Sequence, residues 1–270
     1  MKTTTAGVTT LVAMAGAFAL PALAEESQAE LAKKSLNPVA SLISVPFQLD
    51  FDRRMGPLED GKQFQLTIKP VIPISISSDW NLISRTLVPV IHRNDVTPVS
   101  GNQTGIGDIT QQFYFSPKAP TAEGWIWGVG PQVLTRVGDA KLSSDRWAVG
   151  PDLVVLKQEH GWTYGVLANH LWSVGNGNTL TPNISATYVQ PFLSYTTPHF
   201  TTYGINTEST YNWKTNHWST PINATVTQLM KIGDQHLTLQ GGVRYWAASP
   251  DDIGPKGWGL RFAVNFLFPK

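Results

Sequence analysis

The chain of 270 residues contains no cysteine. That removes disulfide frameworks, thiol chemistry, cysteine-bearing zinc sites and the acylated N-terminal cysteine of a lipoprotein. Charge is scarce as well, with Asp, Glu, Lys and Arg making up 14% of the residues, against about a quarter in an ordinary soluble domain. The two signs nearly cancel, 20 basic against 19 acidic. Such a balance leaves no basic face for a polyanion, so no nucleic-acid partner is expected. Long hydrophobic runs are missing too: past residue 24 no stretch of eighteen apolar residues occurs, and mean hydropathy is slightly polar at −0.11. Helical membrane spans are thereby excluded. If the chain crosses a membrane, it does so as a β-barrel.

What is present starts with a leader. Lys2 precedes an apolar run from Leu11 through Ala24 that ends Ala22-Leu23-Ala24, ahead of Glu25-Glu26. The run is too short to span a bilayer and ends in a small-x-small pattern, so residues 1–24 are expected to be a signal peptide. Residues 25–42 read differently: Glu30-Leu31-Ala32-Lys33-Lys34-Ser35-Leu36 suits a short amphipathic helix that Asn37-Pro38 breaks. This segment is either a periplasmic lead-in or a small plug, and the pattern fits both. Residues 43–270 are expected to form an outer-membrane barrel.

From Val45 onward, period-two alternation dominates. Val45, Phe47, Leu49 and Phe51 share one face with Pro46, Gln48, Asp50 and Asp52 opposite. The next run sets Phe64, Leu66, Ile68, Ile72, Ile74 and Ile76 against Gln63, Gln65, Thr67, Lys69 and Ser75. At the chain's end Trp258, Leu260, Phe262, Val264, Phe266 and Phe268 alternate with Gly259, Arg261, Ala263, Asn265 and Leu267. A terminal strand with so greasy a face fits against lipid. Its Phe262, Phe266 and Phe268 are similar to the C-terminal aromatic targeting signal of outer-membrane barrels.

Further strands are expected near 80–91, 106–115, 124–135, 147–157, 162–173, 184–196, 200–213, 218–231 and 237–246, about twelve in all. The predicted fold is all-β: a transmembrane, antiparallel, up-and-down barrel with a short N-terminal helical lead-in. Connections alternate in length. Ser77-Ser78-Asp79, Gln158-Glu159-His160-Gly161, Thr197-Pro198-His199 and Gly233-Asp234-Gln235 read as tight periplasmic turns. The longer 52–61, 92–105, 136–146, 174–183 and 247–257 read as outer loops. Two connections break the rule: 116–123 is long for a turn and 214–217 short for a loop.

Aromatics gather near the proposed strand ends. Trp80, Trp125, Trp127, Trp147, Trp162, Trp172, Trp213, Trp218 and Trp258 form the expected interfacial girdles; the alternative is a tryptophan-rich core. Against a regular ladder stand Pro70, Pro73, Pro89, Pro131, Pro151, Pro191 and Pro221, each without a backbone donor. Bulges are expected to absorb several of them. Trp127-Gly128-Val129-Gly130-Pro131 and Trp147-Ala148-Val149-Gly150-Pro151 repeat one pattern twenty residues apart, which points to a recurring local device.

The stretches Asp79–Arg85, Gly124–Pro131, Gln190–Tyr195 and Asn206–Tyr211 resemble the outer-membrane transporter-like family named after the meta-pathway of phenol degradation, whose members are sometimes labelled neuromedin U. The likeness runs from about Asn37 to Lys270. It implies a barrel in the cell outer membrane of a Gram-negative bacterium, and a porin-like transporter role without naming a solute.

If alternation assigns the faces, the lumen receives Asp50, Lys69, Arg85, Asp108, Asp152, Glu208, Arg244 and Arg261, with Tyr114, Tyr188, Leu134, Leu167, Leu171 and Phe192 also pointing inward. The charges are four of each sign, which implies weak ion selectivity; alternatively they pair and fill the interior. A small, weakly polar or aromatic solute suits this lining. Catalysis is not expected, since His170 and Ser173 lie three apart on one strand and face opposite ways. The expectation is thus a non-enzymatic channel without cofactor or metal, with outer-membrane lipids and the barrel-assembly machinery as partners. A closed structural or surface-interaction barrel stands as the alternative, and a membrane hydrolase behind it.

Overall fold

A computed structural model describes residues 27–97, 101–175 and 182–269. The expected signal peptide, residues 1–24, lies outside the described residues. The described chain holds one helix, α1 (Gln28–Ser35), and fifteen strand segments. In order these are β1 (Ile43–Met55), β2 (Gly61–Ile68), β3 (Val71–Ser75), β4 (Trp80–Asn94), β5 (Gln103–Ile106), β6 (Thr110–Pro117), β7 (Trp125–Leu134) and β8 (Trp147–Glu159). They continue with β9 (Trp162–Val174), β10 (Ser185–Thr196), β11 (Thr201–Thr207), β12 (Ser209–Asn212), β13 (His217–Ile232), β14 (Gln235–Ala248) and β15 (Gly257–Phe268). Three pairs, β2 with β3, β5 with β6 and β11 with β12, are single strands interrupted once, so the barrel has twelve antiparallel strands. β1 pairs with β15 from Ile43↔Phe268 to Phe51↔Leu260, which closes the sheet and removes its edges.

The faces follow the period-two pattern. Phe64, Ile72, Ile74, Ile76, Phe262 and Phe268 are exposed on the outer surface, while Gln63, Gln65, Asp50 and Arg261 face inward, two of them lying register-opposite as Asp50↔Arg261. Both ends of the barrel chain, Ile43 and Phe268, lie at the same rim, here the terminal end. The connection 118–124 belongs to that rim and 213–216 to the opposite, loop end, so the alternation of turns and loops is unbroken despite their lengths.

The prolines explain the interruptions. Proline offers a carbonyl but no N–H, and at each break a neighbouring strand uses that carbonyl. Lys69 N donates to Pro46 O at 2.9 Å, Thr86 N to Pro70 O at 3.1 Å, Gly107 N to Pro89 O at 2.9 Å and Glu208 N to Pro221 O at 3.2 Å. Pro131 and Pro151 face one another across β7 and β8, and the residue before each is the glycine of the repeated motif. A Cβ on Gly130 would stand 2.0 Å from Phe113 O, and one on Gly150 1.6 Å from His170 O. Only glycine permits those approaches. Pro221 coincides with a register shift in β13, as expected of a bulge. Pro73 lies past Ser44↔Val71, the last pairing of β3 with β1.

Helix α1 is short, so its ends matter. Ser27 Oγ accepts from Glu30 N at 3.2 Å, Glu30 sits in the first turn, and Lys33 and Lys34 complement the last. Asn37 Oδ1 then accepts from Val39 N at 3.0 Å and turns the chain. Leu31 and Ala32 bury against Ala40, Leu42, Leu229, Leu267 and Phe200. Full burial of a leucine contributes about 1.5–3 kcal/mol. Val39 packs deeper, among the inward side chains Ile83, Tyr114, Val154, Leu156 and Leu167. Residues 27–42 therefore lie within the terminal end of the barrel.

Candidate functional site

The barrel interior holds a cavity of about 660 Å³. One wall is ionic. Arg261 Nε and Nη2 donate to the two oxygens of Asp50 at 2.7 and 3.1 Å, and Nη1 and Nη2 donate to those of Glu208 at 2.8 and 2.7 Å. One guanidinium thus grips two carboxylates, each in bidentate fashion. Arg244 Nη1 reaches Asp50 at 3.0 Å and its Nε lies 3.5 Å from Asp52. Trp246 Nε1 donates to Asp52 at 2.8 Å, and the Arg244 guanidinium sits 4.9 Å above the Trp246 ring. Gln48 Nε2 donates to Asp50 at 2.8 Å and its Oε1 accepts from Lys69 Nζ at 2.8 Å.

The other wall is neutral, built from Gln112, Gln132, Asn169, Tyr188 and Gln190 with the apolar Leu87, Leu171 and Ala186 between them. Arg85 Nη1 donates to Gln112 Oε1 at 3.2 Å, and Gln112 Nε2 to Asp152 Oδ2 at 2.5 Å. Tyr114 OH donates to the same oxygen at 2.8 Å. Charged and amide groups so arranged, around a space larger than several waters, make a polar chamber with its hydrogen bonds largely directed into the wall.

The sequence candidates divide as follows. Asp50, Lys69, Arg85, Tyr188, Glu208, Arg244 and Arg261 all line the cavity. Tyr114 and Asp152 point inward but are wholly buried behind Gln112 and do not reach it. Asp108 is the correction: it stands in the break between β5 and β6, where Oδ2 accepts from Ser144 N at 2.6 Å and Ser144 Oγ at 2.5 Å, so it anchors an outer loop instead of lining the chamber. Asp52 and Trp246 belong to the site and were absent from the candidates. Asp52 shares the inner face two residues from Asp50. Trp246 follows Arg244 by the same interval and is the tryptophan turned into the lumen.

Of the girdle candidates, Trp80, Trp125, Trp127 and Trp162 stand on the outer face at the terminal end, and Trp147, Trp172, Trp213, Trp218 and Trp258 at the loop end. Edge contacts run along each row, Trp80 to Trp127 at 5.7 Å and Trp125 to Tyr164 at 6.1 Å in one, Tyr211 to Trp213 at 4.8 Å in the other. Phe266 meets Phe47 edge-on at 6.0 Å across the β1–β15 pairing. His170 lies outside, 4.1 Å from Trp172, with Nδ1 2.7 Å from Thr187 Oγ1. It does not approach Ser173, whose hydroxyl turns to Ile184 O. A different serine, Ser185, comes within 3.4 Å of Nε2, but the group on the far nitrogen is a threonine hydroxyl, which cannot stabilise an imidazolium as the acid or amide of a triad does.

No family model and no curated protein sequence matches the chain. Among solved structures it is similar to an outer membrane channel from Pseudomonas putida F1, with TM-score 0.65 and 14% identity over 85% of this chain and 96% of the other. Outer membrane phospholipase A from Escherichia coli superposes at TM-score 0.47 and 12% identity, covering 84% of this chain and 90% of that one. A KdgM porin in complex with oligogalacturonate superposes at 0.45 and 12%, covering 84% and 99%. The first likeness shows the fold, an outer-membrane-type barrel. At this identity it carries no substrate or residue roles across.

Proposed function

We propose that this protein is an outer-membrane channel giving passage to a small, weakly polar or aromatic solute. The observation that carries the reading is the 660 Å³ chamber inside a closed barrel whose outer face is apolar and banded by tryptophans. A signal peptide over residues 1–24, insertion by the barrel-assembly machinery and a setting among outer-membrane lipids belong to the same proposal. So does membership of the phenol-degradation transporter-like family, which rests on the four stretches quoted above. The reading is non-enzymatic and involves neither cofactor nor metal.

In this proposal residues 27–42 act as a plug at the periplasmic rim, and the mixed chamber admits solutes that carry a polar head and an apolar body. Leu87, Leu171, Tyr188 and Trp246 supply surface for the body. One observation favours a second reading, a barrel with a closed lumen: the same plug, together with an ionic wall whose charges are spent on one another. Single-channel recording of the refolded protein in planar bilayers separates the two. Discrete conductance steps, altered by Glu208→Ala or Arg244→Ala, are expected of the channel. A folded barrel silent in its full form and in a form lacking residues 27–42 overturns it in favour of the structural reading.

A further inference from the structure

The chamber's charges balance only when its buried members are included. The groups that line it are three carboxylates, Asp50, Asp52 and Glu208, against four cations, Lys69, Arg85, Arg244 and Arg261. The three carboxylates all lie within 4.0 Å of Arg244 or Arg261. Lys69 and Arg85 have no carboxylate within that distance among the described residues, although Glu208 acts on Lys69 through space; their side-chain hydrogen bonds go to the neutral amides of Gln48 and Gln112, with the Tyr114 hydroxyl also beside Arg85. Asp152 is sealed behind Gln112 and Tyr114, so that it acts on Arg85 through space but pairs with neither cation and offers a solute no carboxylate. The lining therefore carries one net positive charge, divided between a surplus carboxylate in the Arg244 and Arg261 network and the two cations Lys69 and Arg85, whose positive charge is gathered in one place.

That place is a narrowing. A smaller cavity of about 160 Å³ continues the chamber toward the terminal end, between the segment Lys34–Ala40 and the barrel wall. Ser35, Leu36, Pro46, Lys69, Arg85 and Asn265 line both spaces. A solute leaving the chamber past the N-terminal segment must pass the two cations. Lys69 keeps two of its three donors, and the Arg85 fork keeps most of its five. A planar guanidinium beside a compact ammonium matches the two oxygens of a carboxylate.

We propose that Lys69 and Arg85 form a binding site for the carboxylate of a small organic acid, selecting singly charged anions at the junction between the chamber and the N-terminal segment. The inference rests on the reading of the chamber as solute space. It also replaces the even-handed ion selectivity implied by counting charges with a local preference for anions.

Isothermal titration of the refolded full chain with benzoate and with its uncharged analogue benzamide tests the site. The double variant Lys69→Gln/Arg85→Gln is expected to weaken benzoate at least about tenfold, equivalent to about 1.4 kcal/mol, and to leave benzamide unchanged. Gln48→Glu adds a carboxylate where Lys69 already donates and is expected to weaken benzoate in the same sense, so the test survives if the double variant does not refold. Benzoate and benzamide binding alike, no benzoate binding by the wild type, or benzoate affinity indifferent to these substitutions would overturn the proposal. A wild type that conducts but ignores benzoate leaves the channel reading standing without this site. Charge-dependent benzoate binding in a barrel that never conducts leaves the site and removes the channel.

Discussion

Arg261 serves two carboxylates from one guanidinium, so its loss exposes more than one partner. Arg261→Met is expected to leave Asp50 with Arg244 alone as its ion-pair partner and Glu208 with none, although Lys69 still acts on Glu208 through space, and removing one partner of a buried ion pair costs about 3–5 kcal/mol. Urea unfolding of the barrel in lipid vesicles would read that cost as a lowered midpoint; an unchanged midpoint would show the network to be well hydrated. Gly150 sets a different constraint. Gly150→Ala places a methyl against His170 O, and overpacking of this kind costs roughly 1–3 kcal/mol, whereas alanine at Gly241, which has open space around its Cβ position, is expected to change little. The same unfolding assay compares them. The identity of the inward residues was legible in the sequence because side chains in a strand alternate without drift. Asp108 was misplaced because a break between two strand segments suspends that alternation, and nothing in Gly107-Asp108 announces the break. Its signal lies in the partner strand, at Pro89.

At the scale of elements, α1 is held by a few apolar contacts rather than by its own length, since a helix of eight residues is far below what is stable alone. Leu31→Glu is expected to release the segment 27–42 from the barrel's end. In bilayers this would appear as a larger or more frequent conductance step, and in proteolysis as faster cleavage near Asn37. The loop end has its own fastening. Lys256 Nζ donates to Glu59 Oε1 at 3.0 Å and Arg54 pairs with the same carboxylate, joining the connection 56–60 to 249–256. Those hydrogen bonds, first from Lys256 and then from Arg54, hold the Glu59 carboxyl below its usual range. A depressed folded-state value means that the fastening is fully present above the ordinary glutamate value, 4.5, and is lost only as pH falls through the lower folded one. Amide exchange in 249–256, corrected for intrinsic rate, is accordingly expected to show unchanged protection between neutral and mildly acid pH. All twelve strands were legible as alternating runs, and the prolines as interruptions. The seat of residues 27–42 was not, because an amphipathic turn buries the same face against a barrel interior or a partner.

For the molecule as a whole, the outer surface obeys one solvent and the lumen another. Phe262→Arg, on the lipid face midway along β15, is expected to destabilise by about 2–4 kcal/mol if it lies near the bilayer centre. Ala263→Ser, its neighbour on the lumen side, is expected to be nearly neutral, and paired unfolding titrations in vesicles decide between them. The seam of the barrel carries a further consequence. Asp50 and Asp52 stand on β1, Arg244 on β14 and Arg261 on β15, and Asp50 meets Arg261 as its register partner. A closure slipped by two residues would preserve every inside and outside face, so hydrophobicity alone does not forbid it. It would set Asp50 against Gly259 or Ala263 and strand a charge in the lumen. The two strands that close the barrel, β1 and β15, therefore carry a proofreading mark. Of all the registers in which the cylinder might zip shut, the correct one is the one in which the opposite charges at the seam meet.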